Sequence, residues 1–131
     1  MITETAYGLS RQIAVPYDEA IPRVKEALKE SGFGVLTEID VKDTIRQKLG
    51  KEFRRYDIIG ACNPGLAHRA LEAEIQVGLL LPCNVVVYEE GEGSTVAAFD
   101  PEAAMGLAGN PALEDVAREA KSRLREALER L

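Results

Sequence analysis

The chain has 131 residues, 46% of them hydrophobic and 29% charged. That suits one globular domain with a real core and excludes a disordered chain. A net charge of −6 and a sequence pI near 4.9 argue against a binder of the phosphate backbone, which shows a basic patch or stripe. The N-terminal residues show no signal-peptide pattern, and the longest apolar stretch, VGLLLPCNVVV (77–87), is too short to span a bilayer and contains Pro82. With two cysteines and no export signal, the expected compartment is the reducing cytoplasm, with no membrane and no nucleic-acid partner. Tryptophan is absent, Asn and Gln are scarce and Arg and Glu are plentiful, a thermophile-like composition.

Residues 6–15 alternate, with Tyr7, Leu9, Ile13 and Val15 on one face and only Arg11 out of pattern, which predicts a half-buried strand. A helix is expected from Asp18 to about Ser31, with Ile21, Val24 and Leu28 as its apolar stripe and Gly32-Phe33 as a Schellman stop. Val35, Thr37, Ile39 and Val41 alternate in a second strand, and a short helix near 42–49 ends at Gly50. Residues 53–62 read as a third strand with Tyr56, Ile58, Gly60 and Cys62 on one face, and with Arg55 and Asp57 placed to pair on the other.

Asn63-Pro64 is an N-cap followed by a first helical residue, and Asp100-Pro101 and Asn110-Pro111 repeat that grammar. Residues 83–89 and TVAAF (95–99), joined by an acidic turn, predict a hairpin. From about 111 to the end, Leu113, Val116, Ala117, Ala120, Leu124, Leu128 and Leu131 share a helix face. Glu114–Arg118, Glu119–Arg123 and Glu126–Arg130 are spaced to support it as i,i+4 pairs. Hairpin-linked strands with segregated helices predict a single α+β domain over 1–131, its mainly antiparallel sheet covered by helices on one face. Strands set singly between helices leave a parallel arrangement open.

The chemistry concentrates in one repeated phrase. ACNPG (61–65) and LPCNV (81–85) each place Asn directly after Cys, with a proline close by, and account for two of the three asparagines. A helix of about 11 residues after Cys62 carries the chain back roughly 16 Å. The segment 75–82, if extended, returns it by up to about 26 Å. The two phrases are thus expected to meet, with strands 53–62 and 83–89 antiparallel.

There Cys62 precedes a helix N-terminus, where the dipole favours a thiolate, and Asn84 is free to offer its amide. Such a corner suits a small anion, a soft metal or a redox thiol pair. Buried structural cysteines are the plain alternative. His68, with Cys62 and Cys83, is a weak third metal ligand, because the spacing matches no zinc motif and His68 falls on the helix flank of Glu72. No motif names a cofactor.

YDIIGACNPGLAHRALEAEIQVGLLLPCNVVVYE (56–89), together with residues 15–41, resembles the family called domain of unknown function 302. The resemblance implies an α+β fold of the TATA-binding-protein-like class, often homodimeric. It also draws attention to Cys62, Asn63, Cys83 and Asn84 as contacting groups, and to Gly60, Pro64 and Pro82 as shapers of the backbone. The expected function is a homodimeric binding or sensing domain with its ligand at the two phrases. A thiol redox enzyme, Cys62 attacking and Cys83 resolving, and a structural homodimer with core cysteines remain the alternatives.

Overall fold

The computed structural model describes residues 1–131. Six strands form one sheet in the order β1-β2-β6-β5-β4-β3, and every neighbouring pair is antiparallel. The α+β expectation therefore holds and the parallel alternative falls. The strands are β1 (Thr3–Glu4), β2 (Gly8–Ile13), β3 (Gly34–Asp40), β4 (Tyr56–Cys62), β5 (Cys83–Glu90) and β6 (Gly93–Phe99). The helices are α1 (Tyr17–Glu30), α2 (Val41–Leu49), α3 (Pro64–Ala73), α4 (Pro101–Gly106) and α5 (Glu114–Glu129). Two 3-10 segments, Ile75–Leu80 and Pro111–Leu113, complete the chain.

The strand alternation decides which side is buried. Leu9 of β2, Ile59 of β4, Val85 and Val87 of β5 and Val96 of β6 are essentially inaccessible and pack against Val24 and Leu28 of α1 and Leu124 of α5. At about 25 cal/mol per Å², each such side chain contributes roughly 1.5–3 kcal/mol. A second core joins Leu66 and Ala70 of α3, Val77, Met105 of α4, and Leu113, Val116 and Ala117 at the start of α5.

Local sequence signals mostly match. Gly32 takes φ +92° after α1, and the Phe33 N–H donates to the Leu28 carbonyl at 2.8 Å, the expected Schellman contact. Asn63, Asp100 and Asn110 each accept N–H groups of the turn they open. Arg11, the residue out of pattern in β2, donates to the carbonyls of Leu128 and Glu129 at the end of α5, where unpaired acceptors favour a cation.

Five expectations change. Tyr7 does not share the face of Leu9 and Ile13, because it precedes β2 and is exposed. Val41 opens α2 rather than closing β3, because Asp40 caps the helix by accepting from the Asp43 N–H at 3.0 Å. β3 lies at the sheet edge with a bulge between Val35 and Thr37, and all seven of its residues are exposed. Of the three i,i+4 pairs on α5 only Glu119–Arg123 forms, at 3.1 Å; Arg118 turns to Asp115 and Arg130 to Glu30, both nearer in space. Arg55 does not pair with Asp57, as described below.

Candidate functional site: the thiol corner

β4 ends where Asn63 turns the chain into α3. The Asn63 Oδ1 accepts the Leu66 N–H at 3.1 Å, and its Nδ2 donates to the Gly32 carbonyl at 3.0 Å. Both ends of this amide are therefore used to tie the start of α3 to the end of α1. Pro64 occupies the first helical position, where a missing N–H costs nothing. The chain returns through the 3-10 segment Ile75–Leu80 instead of the extended path considered from the sequence. A cis Leu81–Pro82 bond follows, and Cys83 arrives opposite Ala61 in the β4–β5 register.

The register pairs Cys83 with Ala61, so Cys62 is the next residue along, at the end of β4 where the chain turns into α3. Both cysteines line a cavity of about 20 Å³ with Phe33, Leu66, Pro82 and Met105, where the two hydrophobic cores adjoin. The space is that of a single water or a bare ion. Asn63 is the one polar residue of its lining that is not a thiol, and no cation borders it. Cys83 is 6% exposed, Cys62 half-buried, and both are free thiols.

Burial pushes the Cys83 thiol up to about 11, with the nearby Cys62 adding to the rise, and burial also raises Cys62. The expected helix-terminus thiolate is thus overturned. Desolvation in an apolar cavity is the cause, and the N-terminal N–H of Leu66 is already given to Asn63.

The remaining residues of the two phrases do not all converge. Asn84 is exposed and pairs with Gly60, so period-2 alternation sends its side chain to the sheet face opposite Cys83. There it borders a shallow groove of about 400 Å³ with Tyr7, Tyr56, Tyr88 and Phe99. Gly60 is required sterically: a Cβ there would collide with the Thr37 Oγ1 and stand 2.9 Å from the Pro82 Cγ. His68 lies in solvent, its Nδ1 3.5 Å from a Glu72 carboxylate oxygen, and is absent from the cavity lining. No group of three or more His, Cys, Asp or Glu side chains is arranged to hold a metal ion.

One titratable pair escaped the sequence reading. Asp57 shares the parity of Ile59 and Ala61, so it points beneath α1 and is only 4% exposed. Its partner is Glu38 on the adjacent strand, which is also held by Lys25 at 2.8 Å. Burial, then the Glu38 carboxylate, push Asp57 up to about 7, and its Oδ2 is buried without a partner. Arg55 instead holds Asp18 and Glu89, each at 3.0 Å, with its guanidinium 5.0 Å from the centre of the Tyr17 ring. The alternation that fixed Ile59 as core marks Asp57 as buried too, and was the available signal.

The comparisons with known proteins meet this geometry. The family model described as domain of unknown function DUF302 matches residues 9–131. The chain belongs to that family. A solved DUF302 structure, the crystal structure of an uncharacterized conserved protein from Bacillus stearothermophilus, is 32% identical. The match covers 96% of this chain and 98% of that one, with a TM-score of 0.89. No curated protein matches the chain. The antiparallel sheet with its helices is thus a DUF302 fold. No helix is long and apolar enough to cross a membrane.

Proposed function

We propose that this DUF302 chain is a cytoplasmic, homodimeric binding domain that takes a soft monovalent metal ion, of the Cu(I) kind, between the sulfurs of Cys62 and Cys83. The observation that carries the reading is that Cys62 and Cys83 both line one small apolar cavity, with no third ligand. Thiolate sulfur selects soft ions, and a lining whose one side-chain oxygen, that of Asn63, already accepts the Leu66 N–H disfavours hard ones. An anion, the other ligand class the sequence left open, finds no cation there and a cap amide already engaged.

Binding displaces protons from thiols whose burial resists ionisation, so affinity rises with pH. The thiol redox alternative needs an accessible low-pKa nucleophile, and both shifts run the other way. The low exposure of Cys83 favours the remaining alternative, a structural pair.

Native mass spectrometry of the reduced chain titrated anaerobically with Cu(I) against a competing chelator tests the reading. One ion per chain is expected, lost in Cys62→Ser and in Cys83→Ser and kept in His68→Ala. No ion retained, or retention unaffected by either serine, overturns it in favour of structural cysteines.

A further inference from the structure

The sheet face turned away from α1 and α5 has an unusual make-up for a chain that is 29% charged. Its centre is Tyr56 and Ile58 of β4, Val86 and Tyr88 of β5, and Ala97 and Phe99 of β6. Ser10, Gly60, Asn84 and Thr95 fill the remaining positions between them. Five of the seven aromatic residues lie on or beside it, with Tyr56 and Tyr88 stacked at 5.3 Å, Phe53 6.1 Å from Tyr56, and Tyr7 80% exposed at the rim. Two charged side chains reach it, Arg54 over the Tyr88 ring and Glu90 bonded to Thr95. They have opposite signs, and both belong to the end that carries the β5–β6 turn.

We infer that this face is the seat of a second copy of the chain, packed face to face across a two-fold axis; the inference rests on the homodimer reading above and gives it a location. A two-fold interface sets the same patch against itself, so it must tolerate its own charges. A neutral, tyrosine-rich centre with opposite charges at one end meets that condition, and aromatic enrichment with charge depletion marks interface centres. The size is adequate. Four strands about 4.8 Å apart, each some 22 Å long, outline roughly 420 Å² before side-chain relief, close to the scale of one side of a small stable interface.

Two rival patches fit a second copy less well. The edge segment from β3 through α2 exposes Val35, Leu36, Ile39 and Leu49, yet intersperses them with Glu38, Asp40, Lys42, Asp43, Arg46 and Lys48. Two copies meeting there would have to desolvate or pair all six charges. Ile75, Leu79 and Leu107 are 80–85% exposed, but they sit on a six-residue 3-10 segment and the end of a six-residue helix, a smaller surface than the sheet face. A single nucleic-acid strand stacked on the tyrosines would need cations along the face, and Arg54 is the only one that reaches it.

The test is mass by light scattering across a dilution series, for the full wild-type chain and four variants, with far-UV circular dichroism on each. Wild type is expected at twice 14.3 kDa. Val86→Arg and Tyr7→Asp should each raise the dissociation constant about a hundredfold or more, because both copies bring an unpaired charge into the contact. Leu36→Asp and Leu79→Asp should leave it unchanged. Tyr7 is so exposed in the single chain that its substitution decides the matter even if Val86→Arg fails to fold. A wild-type monomer at every concentration overturns both the dimer and its location. A dimer that survives the face variants, or dissociates with Leu36→Asp or Leu79→Asp instead, overturns the location alone.

Discussion

The two Cys-Asn phrases share their letters and almost nothing else. At Cys62-Asn63 a strand is ending, so the asparagine has extended backbone, φ −102° and ψ 108°, and caps the following helix. At Cys83-Asn84 a strand is beginning, so consecutive side chains go to opposite faces of the sheet. One asparagine has both ends bonded inside the fold, and the other stands in the tyrosine groove. The cysteines converge on one cavity although their neighbours diverge. The lesson is that a motif's role depends on where it falls relative to an element boundary, and the comparison can be broken residue by residue.

The largest effect is expected at the position that lets the second phrase approach the first. Gly60→Val places a branched side chain into Thr37 and Pro82, a clash with a backbone-restrained ring that flexible neighbours cannot absorb. Overpacking of this kind costs up to about 3 kcal/mol. Gly65→Ala is the matched control, since its Cβ meets only Asn63 Oδ1 at an ordinary 3.5 Å. Urea denaturation should separate them clearly, and equal midpoints would remove Gly60 from any role in shaping the corner.

Next come the thiols. Cys83→Ser puts a hydroxyl into an apolar, nearly inaccessible position and should cost about 2 kcal/mol, whereas half-buried Cys62→Ser should cost less than about 1 kcal/mol. Native-state alkylation should follow the same order, with Cys62 modified first and both slow at neutral pH because burial keeps them protonated. Rapid labelling of Cys83 in the folded chain would contradict the cavity as described.

What was legible in the sequence was whatever a short window controls. Asn63-Pro64 and Asp100-Pro101 each fix an α-helix start through their own side chain and ring where it was expected, while Asn110-Pro111 opens a 3-10 turn and α5 follows only from Glu114. Gly32-Phe33 likewise carries its own stop signal. The α+β class followed from hairpin grammar. Less legible were features set by partners distant in sequence. Arg55 and Asp57 are near neighbours along β4, yet their partners, Glu89, Asp18 and Glu38, come from other elements. The exposure of β3 depends on its being last in the sheet order, which its alternation does not encode. In the candidate site, the meeting of the phrases was a chain-length argument, but the neutrality of the thiols depended on Phe33, Met105 and other residues far along the chain.

Asp57 offers a pH test of the buried side of β4 against its open side. Its folded pKa, about 7, is raised above the ordinary carboxyl value of 3.8. Its contribution to stability is therefore fully present below about pH 4 and is lost as pH rises through about 7. Glu38, Asp40, Lys25 and Tyr17 share this electrostatic neighbourhood, with Glu38 opposing ionisation most and Lys25 favouring it. Asp57→Asn should flatten the pH dependence and gain about 1–2 kcal/mol at pH 8, where the wild type must bury a charge without a full set of partners. A wild-type chain equally stable at pH 5 and pH 8 would show that the carboxyl is relieved some other way.

The smallest and most discriminating contrast is between the asparagines themselves. Asn63→Ala removes the cap of α3 and the bond to the Gly32 carbonyl together, and a lost cap alone costs about 1 kcal/mol. Asn84→Ala removes no intramolecular hydrogen bond that the fold uses and should change stability by less than about 0.5 kcal/mol. The two differ again in what they report. If Asn84 lies within a dimer contact on the tyrosine face, its alanine variant shifts the dissociation constant while leaving the denaturation of the monomer untouched. Asn63→Ala does the reverse, weakening the fold at the thiol corner without touching the open face. A shared phenotype for the two alanines would mean that the phrases act as one unit after all, and the division of labour drawn from strand end and strand start would fail.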